Sequence, residues 1–171
     1  MGWLRRAPIV VVLAAIAVSM TSAGVLAAGN PQPTPVPPPP TLTDNFCGDL
    51  GPITVSADAD SWKLTQKVFT SRNGTVLLLF TGHQRTIVQG NGKTLTFDSS
   101  GPGRVTIYPG GTVTVAGTGH SFYVGAPGTP QAGIFLYSGV TVIDISDPTN
   151  ATISSHRGNK LDVCALLRKP G

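Results

Sequence analysis

The acidic groups available for chemistry are eight aspartates, because the 171-residue chain contains no glutamate. Glycosidic bond hydrolysis commonly uses two carboxyl groups. Asp58 and Asp60 would share a face on a strand, but their context, Ser-Ala-Asp-Ala-Asp-Ser, is equally typical of a polar turn. A calcium site would need more oxygen ligands than this segment carries. We therefore interpret the segment as a turn.

Serine and histidine form no recognisable nucleophile motif. Residues 119–123, Gly-His-Ser-Phe-Tyr, begin like the nucleophile elbow G-x-S-x-G, but Tyr123 occupies the position of the last glycine. His120 and Ser121 would point to opposite faces of a strand, so their adjacency does not make them an acid–base pair. The histidines, which lack the spacing of a zinc site, are His83, His120 and His156. The sequence predicts no catalytic residue, no metal site and no cofactor, and we expect a protein that is not an enzyme.

Two aromatic residues are candidates for a ligand platform. Trp62 begins an alternating segment, and Tyr108 ends another just before Pro109. An exposed aromatic ring can stack on a sugar through its apolar face, whereas a buried ring fills the core or its rim. Both interpretations stay open for Trp62 and Tyr108.

The elements that must position these residues are strands. Residues 62–65, 93–97, 104–108 and 112–115 alternate β-branched or aromatic residues with polar ones, which is typical of half-buried strands. Residues 76–80 and 134–137 are apolar at nearly every position, which predicts central strands covered on both faces.

Turn signals separate these segments. Asn73-Gly74, Asn91-Gly92 and Gly158-Asn159 are dipeptides that favour tight hairpin turns. Residues 125–133 form a longer connection rich in glycine and proline, and residues 163–168 could add one short helical turn. The predicted fold class is all-β, an antiparallel β-sandwich or a flattened barrel of about 10 to 12 short strands.

The N-terminal third carries targeting signals. Arg5 and Arg6 precede an apolar run and then small residues, the order of a secretory signal peptide, which we assign to residues 1–27. An uncleaved membrane anchor over residues 9–28 is the alternative. Residues 28–41 are a proline-rich linker, and residues 42–171 are the β domain. Both readings place the domain outside the cytoplasm, either secreted or anchored by its N-terminus.

Two further features bear on the class of protein. The formal net charge of +4 is too small to predict nucleic-acid binding. Cys47 and Cys164 are the only cysteines, and in an exported chain a disulfide between them is expected.

Several short motifs occur in a familiar order between residues 46 and 166. They are Phe46-Cys47-Gly48, Asn91-Gly92-Lys93, Ser100-Gly-Pro-Gly-Arg104, Gly133-Ile-Phe-Leu-Tyr-Ser-Gly139 and Leu161-Asp-Val-Cys-Ala-Leu166. In these motifs the chain resembles a group of small, uncharacterised secreted proteins of high-GC Gram-positive bacteria. The resemblance implies an exported all-β domain with one disulfide that braces its ends, and it supplies no catalytic residues.

These observations lead to three functional hypotheses. The first is a secreted or surface-displayed binding or structural module without catalytic activity, which contacts cell-wall polymer or an envelope protein. The alternatives are a small exported hydrolase that depends on aspartates brought together by folding, and a carrier of a small apolar ligand.

Overall fold

The computed structural model describes residues 11–12, 30–147 and 150–169. The predicted signal peptide, residues 1–27, and the alternative anchor, residues 9–28, fall outside the described residues except for Val11 and Val12. Among the described residues, no helix has the length and apolar character needed to cross a membrane.

The described residues form mostly β-structure. The strands are β1 Val11–Val12, β2 Thr34–Pro35, β3 Leu42–Asp44, β4 Ile53–Ala57, β5 Lys63–Thr70, β6 Val76–His83, β7 Arg85–Gly90, β8 Lys93–Asp98, β9 Gly103–Ile107, β10 Val113–Gly125, β11 Gly133–Asp144 and β12 Thr152–Asp162. A short 3₁₀-helix spans Gly48–Leu50, and helix α1 spans Val163–Arg168, where the sequence predicts one helical turn.

The strands form two sheets in which every pairing is antiparallel. The large sheet has the order β12-β11-β10-β9-β6-β5-β2, with β1 paired alongside β10, and the small sheet has the order β3-β4-β7-β8. The all-β class and the sandwich-like packing of two sheets are confirmed. The flattened-barrel alternative is wrong for the described residues, because β12 and β2 remain edges and neither pairs with the small sheet.

The main core lies between the small sheet and the part of the long hairpin β10-β11 that is next to its connecting loop. Its side chains are all buried and alternate along their strands, as half-buried strands require. They include Ile53, Val55, Val88, Phe122, Val124, Ile134 and Leu136. A second buried cluster, with Tyr123 and Tyr137, covers the opposite face of the same hairpin. The predicted central strand at residues 134–137 is thus covered on both sides.

Three strands are longer than the sequence predicts, because glycines bend them without ending them. Gly119 pairs with Gly139, and Gly139 pairs with Gly158, so the three glycines form a row across β10, β11 and β12. Their φ values are 93°, 112° and 142°, a region that side chains rarely adopt. A Cβ on Gly158 would stand 1.8 Å from the carbonyl oxygen of Ser138. The prediction of a hairpin turn at Gly158-Asn159 is therefore wrong.

The other two predicted hairpin turns are present. Asn91 and Gly92 have φ values of 50° and 71° and connect β7 to β8, while Asn73-Gly74 lies in the turn between β5 and β6. In the Asn91-Gly92 turn, positive φ at both central residues gives the twist that antiparallel strands prefer.

The disulfide between Cys47 and Cys164 is confirmed, with a Cα–Cα distance of 5.4 Å. It joins the segment after β3 to α1. The β7-β8 hairpin caps the same helix, since Asn91 Nδ2 donates to the carbonyl of Leu167 at 2.8 Å and Lys93 Nζ donates to that of Leu166 at 3.2 Å. Three of the motifs noted in the sequence thus meet at one end of the molecule.

Candidate functional site

Trp62 contacts the proline-rich segment of its own chain. Its indole Nε1 donates a hydrogen bond to the carbonyl oxygen of Val36 at 2.7 Å, and the backbone amide of Val36 donates to Leu64 at 2.9 Å. Thr34 and Pro35 pair with β5, and Val36 is only 6% exposed. Part of the segment predicted as a linker therefore packs on the domain, and the indole N–H of Trp62 is occupied by this contact.

Tyr108 lies on an open surface instead. Arg104, Thr106 and Tyr108 alternate with Val105 and Ile107 along and just beyond β9, so the first three share one face. Val105 is fully buried on the other face, whereas Tyr108 is 45% exposed. The alternation predicted at residues 104–108 is therefore present, and it presents the Tyr108 ring to solvent.

The surface around Tyr108 is a groove of about 420 Å³, which we call the Tyr108 groove. Neighbouring strands supply its floor because Phe69 pairs with Leu77, and Leu77 pairs with Thr106. Its lining residues are Phe69, Thr70, Ser71, Thr75, Leu77, Arg104, Thr106 and Tyr108. The groove thus combines half-buried apolar rings and methyl groups with several hydroxyl groups.

The Tyr108 groove carries positive charge. Arg104 is exposed and makes no ion pair with the described residues. Arg72 is exposed in the β5-β6 turn. This turn lies beside the residue that follows Tyr108, since a Cβ on Gly74 would be 3.5 Å from the Pro109 side chain. None of the described residues that line the groove is an aspartate. The surface can therefore stack on a ring, donate hydrogen bonds and attract an anion.

The carboxylates mostly serve local backbone structure. Oδ1 of Asp58, Asp98 and Asp144 accepts a hydrogen bond from the backbone amide two residues ahead, in Asx-turn fashion. The turn interpretation of residues 58–60 is confirmed. Asp162 caps α1 by accepting from the amide of Ala165 at 3.0 Å.

Hydrogen bonding also lowers the pKa of two of these carboxyl groups. The pKa of Asp98 is lowered chiefly because Ser100 donates to its carboxylate, and the pKa of Asp144 is lowered in the same way by Ser146. Both carboxylates are therefore held in the ionised form that the turns need, which is the opposite of what a general acid requires.

One serine–histidine contact was not visible in the sequence. Ser100 Oγ lies 2.8 Å from His83 Nδ1, and it also accepts from the backbone amide of Gln84 at 2.9 Å. The two residues are 17 positions apart, and no short motif links them. Within the described residues no carboxylate is hydrogen-bonded to His83, whose ring thus lacks the third group that orients a catalytic base. The contact serves to hold the β6-β7 and β8-β9 connections together.

The described part of the chain contains no group of three or more histidine, cysteine or acidic side chains that could hold a metal ion. His120 is exposed, and His156 is bonded through Nδ1 to Thr141 Oγ1 at 3.0 Å.

No family model matches the chain, and comparisons with curated proteins and with solved structures give no significant match. The Tyr108 groove is therefore assessed by its own geometry.

Proposed function

We propose that the protein is a secreted or surface-displayed binding module without catalytic activity, and that its Tyr108 groove binds an anionic glycan of the cell envelope. The observation that carries this proposal is the exposed Tyr108 ring on one open groove beside Arg104, which makes no ion pair with the described residues.

The aromatic part of the groove suits a sugar ring. Sugars present apolar C–H faces that pack on aromatic rings, and their hydroxyl groups need hydrogen-bond partners at the rim. Tyr108 offers the exposed ring, while Ser71, Thr75 and Thr106 offer hydroxyl groups around it. An antiparallel sheet beneath the groove keeps these groups in place before the ligand arrives, which reduces the entropic cost of binding.

The charge of the groove favours an acidic polymer over a neutral one. A guanidinium group binds carboxylate or phosphate with paired hydrogen bonds. Arg104 has no carboxylate partner in the described structure, and Arg72 adds a second cation at the edge. Envelope polymers with uronate or phosphate groups present such anions at regular intervals.

The proposed location rests on the chain's N-terminal sequence and on its disulfide. Residues 1–27 act as the signal peptide in this proposal, or residues 9–28 as an anchor, and a disulfide persists in the oxidising environment outside the cytoplasm. Residues 28–41 then connect the exported N-terminus to the domain, with Val36 held against it. The resemblance to secreted proteins of high-GC Gram-positive bacteria points to the same location.

Co-sedimentation of the oxidised protein with insoluble cell wall and with acidic and neutral polysaccharides tests the proposal. Tyr108→Ala should weaken pelleting about tenfold, because loss of an aromatic stack costs on the order of 1.4 kcal/mol. Arg104→Gln should weaken binding to the acidic polymers only. Val140→Ala is the matched control, since Val140 is 48% exposed outside the groove.

The salt dependence separates the two components of binding. Raising the ionic strength should weaken binding of the unmodified protein strongly, and should have a smaller effect on Arg104→Gln, which keeps only Arg72 at the edge of the groove. Equal pelleting of the unmodified protein and Tyr108→Ala would refute the assignment of the groove. Failure to bind any polymer, with capture of an envelope protein instead, would replace the glycan by a protein partner.

A further inference from the structure

A cavity of about 90 Å³ lies on the face of the large sheet opposite the Tyr108 groove, where the strands bend near the glycine row. Its apolar lining comes from five different strands. These residues are Leu64, Phe80, Val105, Val115 and Ile143. Gly101, Pro102 and the exposed Thr118 and His120 line it as well.

The cavity also contains hydroxyl groups that can bond to a ligand. Ser121 lines it, and the Ser121 hydroxyl makes no hydrogen bond with the described residues. Ser121 is half-buried, and its hydroxyl can form a hydrogen bond with the polar group of a ligand.

Thr141 supplies a second hydroxyl group. It is 1% exposed, and its Oγ1 lies 3.0 Å from His156 Nδ1, while Nε2 of the same ring is buried without a partner. An unpaired buried acceptor is tolerated better than an unpaired buried N–H. We therefore assign the proton to Nδ1, so that Thr141 Oγ1 accepts from His156 and keeps its own hydrogen available for donation.

We propose that this cavity is a binding site for a small uncharged ligand with an apolar body and one hydroxyl group. The ligand oxygen accepts from Thr141 and donates to Ser121, while the carbon atoms contact the five apolar side chains. None of the lining residues is acidic, so a cationic ligand would lose its hydration without gaining a partner of opposite charge. The basic residues of the lining are the exposed His120 and Arg104, and the Arg104 side chain shares the Tyr108 face of β9. The cavity and the Tyr108 groove lie on opposite faces of the sheet and have one lining residue, Arg104, in common, and ligand binding in the cavity does not depend on glycan binding.

Gly117 allows the cavity to be closed by a single methyl group. A Cβ at this position would lie 2.6 Å from Ser121 Oγ, with only Ser121 Cβ as a further neighbour within 4 Å. The φ value of Gly117 lies outside the left-handed region, so alanine can adopt its backbone conformation. Gly117→Ala should therefore narrow the cavity beside Ser121 without straining the strand.

The test is an NMR titration of the full protein with cyclopentanol, observed at the methyl groups of Val105, Val115 and Ile143. We expect saturable shifts of these methyl signals in the unmodified protein and their loss in Gly117→Ala. Ser121→Ala should weaken cyclopentanol binding about fivefold, the effect of one hydrogen bond of about 1 kcal/mol, and should leave cyclopentane binding unchanged.

The double variant Gly117→Ala/Ser121→Ala keeps the test decisive if Gly117→Ala folds poorly. It removes the close contact at Ser121 Oγ but retains the added methyl group, so it should fold and still bind cyclopentanol more weakly than Ser121→Ala. Absence of saturable shifts in the unmodified protein would overturn the proposal. So would shifts confined to other methyl groups, or equal binding by Ser121→Ala and the double variant.

Discussion

Removal of the Cys47–Cys164 disulfide should destabilise the domain more than any exposed substitution. We predict that Cys47→Ala/Cys164→Ala lowers the free energy of unfolding by about 5 kcal/mol on the chain-entropy model of loop closure. The cysteines are separated by 117 positions, so the disulfide closes most of the folded chain into one loop and removes a large part of the unfolded chain's freedom.

Packing adds to this entropic effect. Cys47 and Cys164 are 4% and 5% exposed and belong to the main core together with Val163 and Leu167. Two alanines leave a small void there. The void lowers the free energy of unfolding further, because buried atoms are removed and the cavity stays partly empty. The hydrogen bonds from Asn91 and Lys93 to α1 remain, so the helix should stay folded in the variant.

Urea unfolding at pH 7 measures the effect through the midpoint and the m-value. For the variant we expect a midpoint lower by the equivalent of about 5 kcal/mol. The reduced unmodified protein is the matched control, and it should unfold close to the double alanine variant. A loss below about 1.5 kcal/mol in both would refute the loop-closure reasoning, because it would require an unfolded chain that is already restricted without the disulfide.

Three further perturbations test the glycine row, the proline-rich segment and the ion pair between Arg168 and Asp49. Gly139→Ala should lower the free energy of unfolding by at least about 2 kcal/mol in thermal unfolding, because the φ of Gly139 is 112° and the new Cβ would stand 2.3 Å from a carbonyl oxygen. Gly110→Ala, whose Cβ would lie in open space, is the control and should be nearly neutral. Trp62→Phe keeps an aromatic ring but loses the indole hydrogen bond, which contributes about 1 kcal/mol. Amide exchange at Thr34 and Val36 should therefore accelerate about fivefold, without a change in β6. Arg168 lies 2.8 Å from Asp49 and lowers the pKa of Asp49 chiefly by hydrogen bonding. The pair therefore stabilises the fold at a pH above the ordinary pKa of an aspartate, and this stabilisation is lost as the pH falls through the lower pKa that Asp49 has in the folded protein. The difference in Tm between the unmodified protein and Asp49→Asn should accordingly shrink below about pH 4, and a constant difference down to pH 2 would contradict it.

Most of the fold could be predicted from local patterns in the sequence. The alternation at residues 104–108 identified both the strand and the side of it that faces solvent, because the side-chain period of a strand is fixed at two. The Asn91-Gly92 turn and the short helix at Val163–Arg168 depend on neighbours in the chain, and both occur where the sequence predicts them.

Features that depend on distant pairing could not be predicted. Gly158 resembles a turn residue when it is considered alone, and only its pairing with Gly139 shows that it bends a strand. Val36 and Trp62 are 26 positions apart, so the contact between them has no local signal. The same holds for the Tyr108 groove. The sequence could single out Tyr108, but the strand register was needed to place Phe69 and Arg104 beside it.

The position of the disulfide has a mechanical consequence. If the two ends of the chain are pulled apart, the load passes from Cys47 directly to Cys164 through the covalent bond. The strands from β4 to β12 lie between the two cysteines and carry none of that load. Residues 30–46 lie outside the loop, and of these the two-residue strand β2 and the Trp62 contact would yield first. Tension between the two ends of the chain could therefore lengthen the protein by releasing its proline-rich segment while the Tyr108 groove stays intact.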